Sequence, residues 1–177
     1  MYLWLGIDVE DQLAAVRQEI MRVEREIPFA HSVLTLPLHI SLKITFSVPV
    51  GMYEPILNDV AKIYRQTASF PIAVRGTECF GGICWIRMER NAALDGIHDR
   101  LNDVLLSAYG VPLHTYDTDY RFHTTLFMDD DAQKVHRAYE AFALPRFPSE
   151  LIARRFVIGR SETGALGSFH VVRRIDR

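Results

Sequence analysis

The sequence predicts a fold that combines helices and strands in two similar halves. Three observations support this. The chain has 177 residues, 49% of them hydrophobic and 24% charged, which is ordinary for one globular domain with a substantial core. Strand and helix periodicities alternate along the whole chain. The same order of elements, β-α-β-α-β, is found first in residues 1–80 and again in residues 82–160.

The first half contains three predicted strands separated by two predicted helices. The strands show alternating or continuous apolar positions, and the helices show apolar residues at every third or fourth position. The predicted elements are a strand at 2–9, a helix from Leu13 to Ile27, a strand at 38–46, a helix from Tyr53 to Tyr64 and a strand at 70–79. The apolar segment at the N-terminus has no basic residues before it and is interrupted by Asp8. This pattern favours a strand over a signal peptide.

The second half repeats this order and adds one strand. Its predicted elements are a strand at 83–89, a helix from Leu94 to Leu105 that ends near Gly110, a strand at 121–128, a helix from Ala132 to Phe142, and strands at 152–160 and 168–174. The irregular stretch at 111–120 is a candidate active-site loop because of its length. We expect residues 1–177 to form a single domain with two lobes.

Composition narrows the class of protein. A formal net charge of −2 argues against a general nucleic-acid coat protein. No apolar run approaches the roughly 20 residues that span a bilayer. We therefore expect a cytoplasmic protein that has no membrane segment and no obligate protein partner, with a monomer as the default.

The two cysteines lie on either side of a short turn. Cys79 and Cys84 flank a hairpin with Gly81 and Gly82 at its centre, so they face each other across two strands. Two cysteines do not make a disulfide scaffold, and a pair with four residues between them lacks the further ligands of a zinc site. We expect two reduced, buried thiols.

Charge is unevenly spread along the chain. Residues 144–177 contain seven arginines and three acidic residues, whereas residues 1–30 and 31–143 each carry a net charge of −3. This tail is either a solvated basic face or the source of a local anion site.

The chemically informative feature is a tetrapeptide that occurs twice. His39-Ile-Ser41-Leu and His123-Thr-Thr125-Leu share the pattern H-x-[ST]-L, in strands that correspond between the two halves. Because alternate residues share a face of a strand, each histidine stands beside its own hydroxyl. With average composition, about 0.1 such matches are expected by chance among seven histidines, so finding two is a strong signal.

Two imidazoles and two hydroxyls suit chemistry at a phosphodiester. One histidine takes a proton from the attacking oxygen and the other protonates the leaving oxygen. Hydroxyls donate to the non-bridging phosphate oxygens as charge develops. The reaction then needs no metal, and neither motif has the further carboxylate, histidine or cysteine ligands of a metal site nearby. Lys43 and Arg121 continue the two faces and are candidate auxiliary anion contacts.

The sequence resembles the 2H phosphoesterase superfamily, in the branch of 2′,5′ RNA ligase-like proteins and RNA 2′,3′-cyclic phosphodiesterases. The resemblance rests on Pro37-Leu-His-Ile-Ser-Leu, on Phe122-His-Thr-Thr-Leu, and on a closing segment from Arg160 to His170 that is similar to the last hairpin of that family. It implies an α+β fold of two pseudo-symmetric lobes, with antiparallel sheets flanking a central cleft that holds both motifs.

The resemblance also implies an activity. His39 and His123 match the acid/base pair, and Ser41 and Thr125 match the phosphate-binding hydroxyls. The implied function is a hydrolase, a cyclic phosphodiesterase acting without a cofactor on the 2′,3′-cyclic phosphate of RNA ends or small nucleotides. A 2′,5′ RNA ligase, an enzyme that degrades cyclic oligonucleotides and a nucleotide-binding module without turnover remain alternatives. The residues do not decide which histidine is the base. Aromatic candidates for stacking on a base are Tyr2, Trp4, Tyr116, Tyr120 and Phe127, and none is assigned a catalytic role.

Overall fold

The computed structural model describes residues 1–143 and 146–177 and contains eight strands and four α-helices in those ranges. The elements in chain order are β1 (Tyr2–Asp8), α1 (Ala14–Glu26), β2 (His39–Ser47), α2 (Tyr53–Gln66), β3 (Phe70–Phe80), β4 (Ile83–Met88), α3 (Ala92–Tyr109), β5 (His123–Met128), α4 (Ala132–Ala141), β6 (Glu150–Ala153), β7 (Arg155–Ser161) and β8 (His170–Asp176).

The strands form two antiparallel sheets of four. The first sheet has the order β2-β1-β7-β8, and the second has the order β5-β4-β3-β6. The fold is therefore α+β with two antiparallel sheets, as the sequence predicts. The H-x-[ST] strands β2 and β5 occupy equivalent edge positions, each beside the strand that opens its half of the chain, β1 or β4.

The sheets do not follow the two halves of the chain. β3 leaves the first half to join the second sheet, and β7 leaves the second half to join the first sheet. The prediction of a single strand at 152–160 is therefore wrong. This region forms two strands, β6 and β7, which belong to different sheets. The chain changes sheet at Arg154, whose carbonyl accepts a hydrogen bond from the Arg177 N–H at 2.8 Å. The apolar residues on both sides of Arg154 conceal this break in the sequence pattern.

Local sequence explains how the helices begin and end. Asn91 caps α3 by accepting hydrogen bonds from the N–H groups of Ala93 and Leu94, and Asp131 caps α4 in the same way. Gly110 ends α3 with φ of 66°, the left-handed conformation that glycine adopts without strain. The predicted helices are all present, with one buried face each. Among the described residues, no helix has the length and apolar character needed to cross a membrane.

One main core joins both sheets to all four helices. It includes the fully buried Ile40, Leu42 and Leu126, which lie between or beside the motif residues and point away from them. A second, smaller cluster covers the other face of the first sheet around Trp4, Val157 and Phe169. The motif strands are thus held from behind by the main core, which leaves their polar positions on the opposite face.

The cysteine expectation is wrong: Cys79 and Cys84 form a disulfide. Phe80 and Ile83 are the paired residues that close the turn between β3 and β4. Cys79 and Cys84 are the next pair along the two strands, and their Cα atoms lie 4.1 Å apart. This position is a non-hydrogen-bonded pair, at which the strands bring side chains closest together. Register alone therefore places the two sulfurs in contact.

Candidate active site

The two sheets bring the two motifs together. β2 is an edge strand of the first sheet and β5 is an edge strand of the second sheet. Residues of the two strands contact each other. His39, Ser41, His123 and Thr125 are all half-buried, whereas the residues between them, Ile40 and Thr124, are buried on the other side. A charge on His123 lowers the pKa of His39, so the two imidazoles lie within electrostatic reach of each other. The four residues therefore lie in the region where β2 meets β5.

The two histidines are held in the same way. The His39 Nδ1–H donates to the carbonyl of Pro37 at 2.8 Å, and the His123 Nδ1–H donates to the carbonyl of Arg121 at 2.6 Å. In both cases the acceptor is two residues before the histidine. A hydrogen bond that fixes the proton on Nδ1 leaves Nε2 with its lone pair free. Each ring thus presents one basic nitrogen.

Both imidazoles are neutral at physiological pH. Burial lowers the pKa of His39 to about 4, with a smaller contribution from a charged His123. Burial also lowers the pKa of His123 below its usual 6.5. The hydrogen bonds to Pro37 and Arg121 oppose these shifts without cancelling them. At neutral pH both Nε2 atoms therefore have a free lone pair that can accept a proton. His39 becomes protonated in a large fraction of molecules only near pH 4.

This shift gives a testable stability effect. The unfolded chain binds a proton on His39 near pH 6.5, whereas the folded protein binds it only near pH 4. Stability from His39 is therefore complete above pH 6.5 and is lost as the pH falls toward 4, by up to about 3 kcal/mol. We expect denaturant titrations of His39→Asn to show a weaker loss of stability over this pH range than those of the unchanged protein. His136→Asn, at an exposed position on α4, is the control; equal slopes in both variants would contradict the expectation.

Trp4 supports the first motif through two contacts. Its ring meets His39 edge to face at 4.1 Å between centroids, and its Nε1–H donates to Ser41 Oγ at 2.9 Å. Glycines make room for it: a Cβ on Gly6 or Gly159 would lie 2.6 or 2.5 Å from the indole ring. Because Ser41 Oγ accepts from the indole, the serine proton is left to donate elsewhere.

Trp85 supports the second motif, but with a different geometry. Its ring stacks on His123 at 4.4 Å with 30° between the planes. Its Nε1–H points to Glu78 Oε2 at 3.3 Å rather than to Thr125, and Glu78 also pairs with Arg87 at 3.0 Å. The two tryptophans of the chain therefore both pack against motif histidines. Neither contact could be predicted from the motif itself, because Trp4 lies on β1 and Trp85 lies on β4.

Lys43 lies in the interior. Its side chain is only 2% exposed and forms an ion pair with Asp117, whose side chain is 1% exposed. Asp117 also accepts a hydrogen bond from the backbone N–H of His114 at 2.6 Å, and one of its oxygens lies 3.6 Å from His98 Nε2. The charge of Lys43 is therefore neutralised by Asp117, and this ion pair connects the segment 111–122 to β2. A role as an auxiliary anion contact would require Lys43 to leave this pair.

The other candidate cations are differently placed. Arg121 contributes its carbonyl to His123, while its own side chain is exposed. Most arginines of the basic tail lie on or beside the first sheet and have acidic partners: Arg154 with Asp11, Arg155 with Asp176, Arg160 with Glu162 and Arg174 with Asp8. These pairs neutralise much of the tail charge. Within the described ranges, no group of three histidine, cysteine or acidic side chains is arranged to hold a metal ion.

The chain matches a known family over most of its length. The family model described as the 2′-5′ RNA ligase superfamily matches residues 15–165, a range that includes both motifs. The chain belongs to the 2′-5′ RNA ligase superfamily. The resemblance of the sequence to 2H phosphoesterases is thereby confirmed. No curated protein matches the chain.

Several solved structures share the fold. The crystal structure of TT0787 from Thermus thermophilus superimposes with a TM-score of 0.68, covering 99% of this chain and 97% of that one at 18% identity. LigT from E. coli in complex with 3′-AMP gives a TM-score of 0.59 over 98% of this chain and 96% of that one, also at 18% identity. LigT has been crystallised with phosphate as well, at 14% identity and a TM-score of 0.59 over 98% of this chain and 95% of that one. At these identities the likeness establishes the architecture.

Proposed function

We propose that this protein is a metal-independent phosphodiesterase that hydrolyses the 2′,3′-cyclic phosphate of RNA ends or small nucleotides. One observation carries the proposal: two histidines in contacting strands each direct Nδ1–H to a backbone carbonyl and keep Nε2 free beside a hydroxyl, so one Nε2 can accept a proton while the other, once protonated, donates one. This is the donor and acceptor set that an in-line displacement at phosphorus uses. The complexes of E. coli LigT with 3′-AMP and with phosphate support a ligand of this kind in this fold.

In the proposed reaction, one histidine removes a proton from water while the water oxygen bonds to phosphorus. The bond from phosphorus to the 3′-oxygen breaks, and the other histidine protonates that oxygen, which leaves a 2′-phosphate. Ser41 and Thr125 donate hydrogen bonds to the non-bridging oxygens, where negative charge develops. The histidines end with exchanged protonation states and reset by proton exchange with water.

The surroundings of the two histidines favour one assignment of their roles. His39 has a pKa near 4 and is the better candidate for the general base, since it is neutral throughout the physiological range. His123 stacks on the Trp85 indole, and the cation–π interaction with that ring favours its imidazolium against the opposing effect of burial. His123 is therefore assigned as the general acid.

A direct assay tests the proposal. The purified protein is incubated with each 2′,3′-cyclic mononucleotide and with RNA ending in a cyclic phosphate, in the presence of EDTA, and product linkage is determined by mass and migration. Formation of 2′-phosphates supports the proposal. Joining of RNA ends without hydrolysis would assign a ligase instead. Binding of nucleotides in calorimetry with no product after long incubation would assign a module without turnover.

The Trp4 contact predicts a specific variant effect. Trp4→Phe keeps an aromatic ring over the two glycines but removes the N–H that holds Ser41 Oγ. We expect kcat/KM to fall about 5- to 10-fold, the value of one neutral hydrogen bond of about 1 kcal/mol. A double-mutant cycle with Ser41→Ala is the control, because the Trp4 N–H acts through Ser41 Oγ and Trp4→Phe should cost little once that hydroxyl is absent. A loss from Trp4→Phe that is as large in the Ser41→Ala background would indicate a packing effect and contradict the role of the Trp4 N–H.

A further inference from the structure

Tyr120 carries a buried hydroxyl group. It lies in the segment 111–122, just after a single helical turn at Thr115–Asp119, and it is 4% exposed. Its ring packs against His98 at 4.7 Å and Phe122 at 5.1 Å. The hydroxyl oxygen accepts or donates no hydrogen bond of normal geometry among the described residues. A buried hydroxyl in this condition is unusual, because the lost bond to water is not replaced.

The hydroxyl lies at the first motif. It is close enough to the Ser41 side chain to interact with it, and the two residues come from different elements, β2 and the segment 111–122. Ser41 Oγ already accepts the Trp4 N–H at 2.9 Å. Two hydroxyl groups, those of Ser41 and Tyr120, are thus adjacent at the position where the proposed function places the phosphate.

The segment is held firmly at this place. Asp117, three residues before Tyr120, forms its ion pair with Lys43, which lies two residues after Ser41 on β2. The same buried pair therefore fixes both the segment and the strand that carry the two hydroxyls. A donor held in advance at the site of developing charge requires no reorganisation during the reaction.

The hydroxyl is also a stable donor. Burial raises the pKa of Tyr120, and the nearby charge of Asp117 raises it further, against a smaller opposing effect of Ser41. The side chain therefore remains protonated throughout the range in which the histidines titrate. Among the described residues, no acceptor lies at normal hydrogen-bond geometry for its proton.

We propose that Tyr120 is a third substrate-binding hydroxyl, which donates a hydrogen bond to a non-bridging oxygen of the phosphate held beside Ser41. This inference rests on the proposed function and adds to it a residue outside both motifs. The ligand it recognises is a phosphodiester or phosphate group. Tyr120 acts together with Ser41 of the first motif, while Thr125 acts from the second motif.

The test removes the hydroxyl and keeps the ring. Tyr120→Phe is compared with Tyr64→Phe, which removes another buried hydroxyl that has no hydrogen-bond partner among the described residues. Tyr64 lies in the main core, where it stacks on Phe156. We expect Tyr120→Phe to lower kcat/KM for a cyclic phosphate by about 10- to 100-fold and leave thermal stability equal or higher. Tyr64→Phe should leave kcat/KM within twofold of the unchanged protein.

Binding of inorganic phosphate, measured by calorimetry, separates this inference from the proposed function. If the protein hydrolyses no cyclic phosphate, the function fails, but weaker phosphate binding in Tyr120→Phe alone would still support the role of the hydroxyl. Phosphate affinity and kcat/KM within twofold of the unchanged protein would overturn it. A clear fall in thermal stability of Tyr120→Phe would also overturn it, since the hydroxyl would then serve the fold, for example through a buried water.

Discussion

Replacing either His39 or His123 with asparagine is expected to lower kcat by about 10²- to 10⁴-fold, the range of general acid–base catalysis. Asparagine is chosen because its amide nitrogen can still donate to the Pro37 or Arg121 carbonyl that now accepts from Nδ1. The substitution therefore removes the reactive Nε2 and retains the hydrogen bond that positions the residue. Steady-state kinetics on a 2′,3′-cyclic mononucleotide measures the effect.

The double variant provides the sharper result. If the two histidines act on the same displacement, removing both should cost little more than removing one, because residues that act as a unit are not additive. His136→Asn on the exposed face of α4 is the control and should retain full activity. Independent, multiplicative losses, or activity that survives either substitution, would contradict two-histidine catalysis.

The pH dependence follows from the two pKa shifts. In the proposed mechanism, the active form of the free enzyme has a neutral His39 and a protonated His123. kcat/KM should therefore rise as His39 loses its proton near pH 4 and fall as His123 loses its proton below pH 6.5. His39→Asn should lose the acidic limb of this bell-shaped profile. An optimum above pH 7 in the unchanged enzyme would contradict the assignment.

An aryl phosphodiester with a good leaving group distinguishes the acid from the base. Such a leaving group departs without protonation, so the variant that lacks the general acid should recover much of its activity relative to the unchanged enzyme. We expect recovery for His123→Asn and none for His39→Asn. The opposite pattern would exchange the two roles.

The four motif residues of the candidate site could be predicted because their arrangement depends on the local geometry of a strand. The two-residue period of a strand places His39 beside Ser41, and the same period places His123 beside Thr125. The repeat then suggests that the two pairs meet. Helix positions were also predictable, since the apolar stripe and the caps at Asn91 and Asp131 lie in the sequence itself.

Other features depend on contacts between residues far apart in the chain. Strand alternation suggested that Lys43 would face a ligand or solvent, and its burial is possible only because Asp117 meets it from a different element. The break at Arg154 is invisible because both flanking strands are apolar. The Trp4 contact with Ser41 requires the register of β1 on β2, which includes irregularities at Leu5. Pairing of this kind is set by the tertiary fold.

The buried Lys43–Asp117 pair predicts the largest effect on stability. Asp117→Asn leaves the Lys43 ammonium in the interior without a counter-charge, which is expected to cost about 3 to 5 kcal/mol of unfolding free energy. The reason is that the desolvation penalty of the lysine remains while its attraction to the carboxylate is gone. Denaturant unfolding measures the loss, and activity should fall as well because the segment 111–122 is released from β2.

Asp119→Asn is a matched control in the same segment. Asp119 lies 3.9 Å from Arg90 with its side chain 81% exposed, and a surface pair of this kind contributes at most about 1 kcal/mol. The double variant Lys43→Met with Asp117→Asn removes both charges and should be more stable than Asp117→Asn alone, since no buried charge is left unpaired. If Asp117→Asn costs no more than Asp119→Asn, the pair does not fasten the segment to the strand.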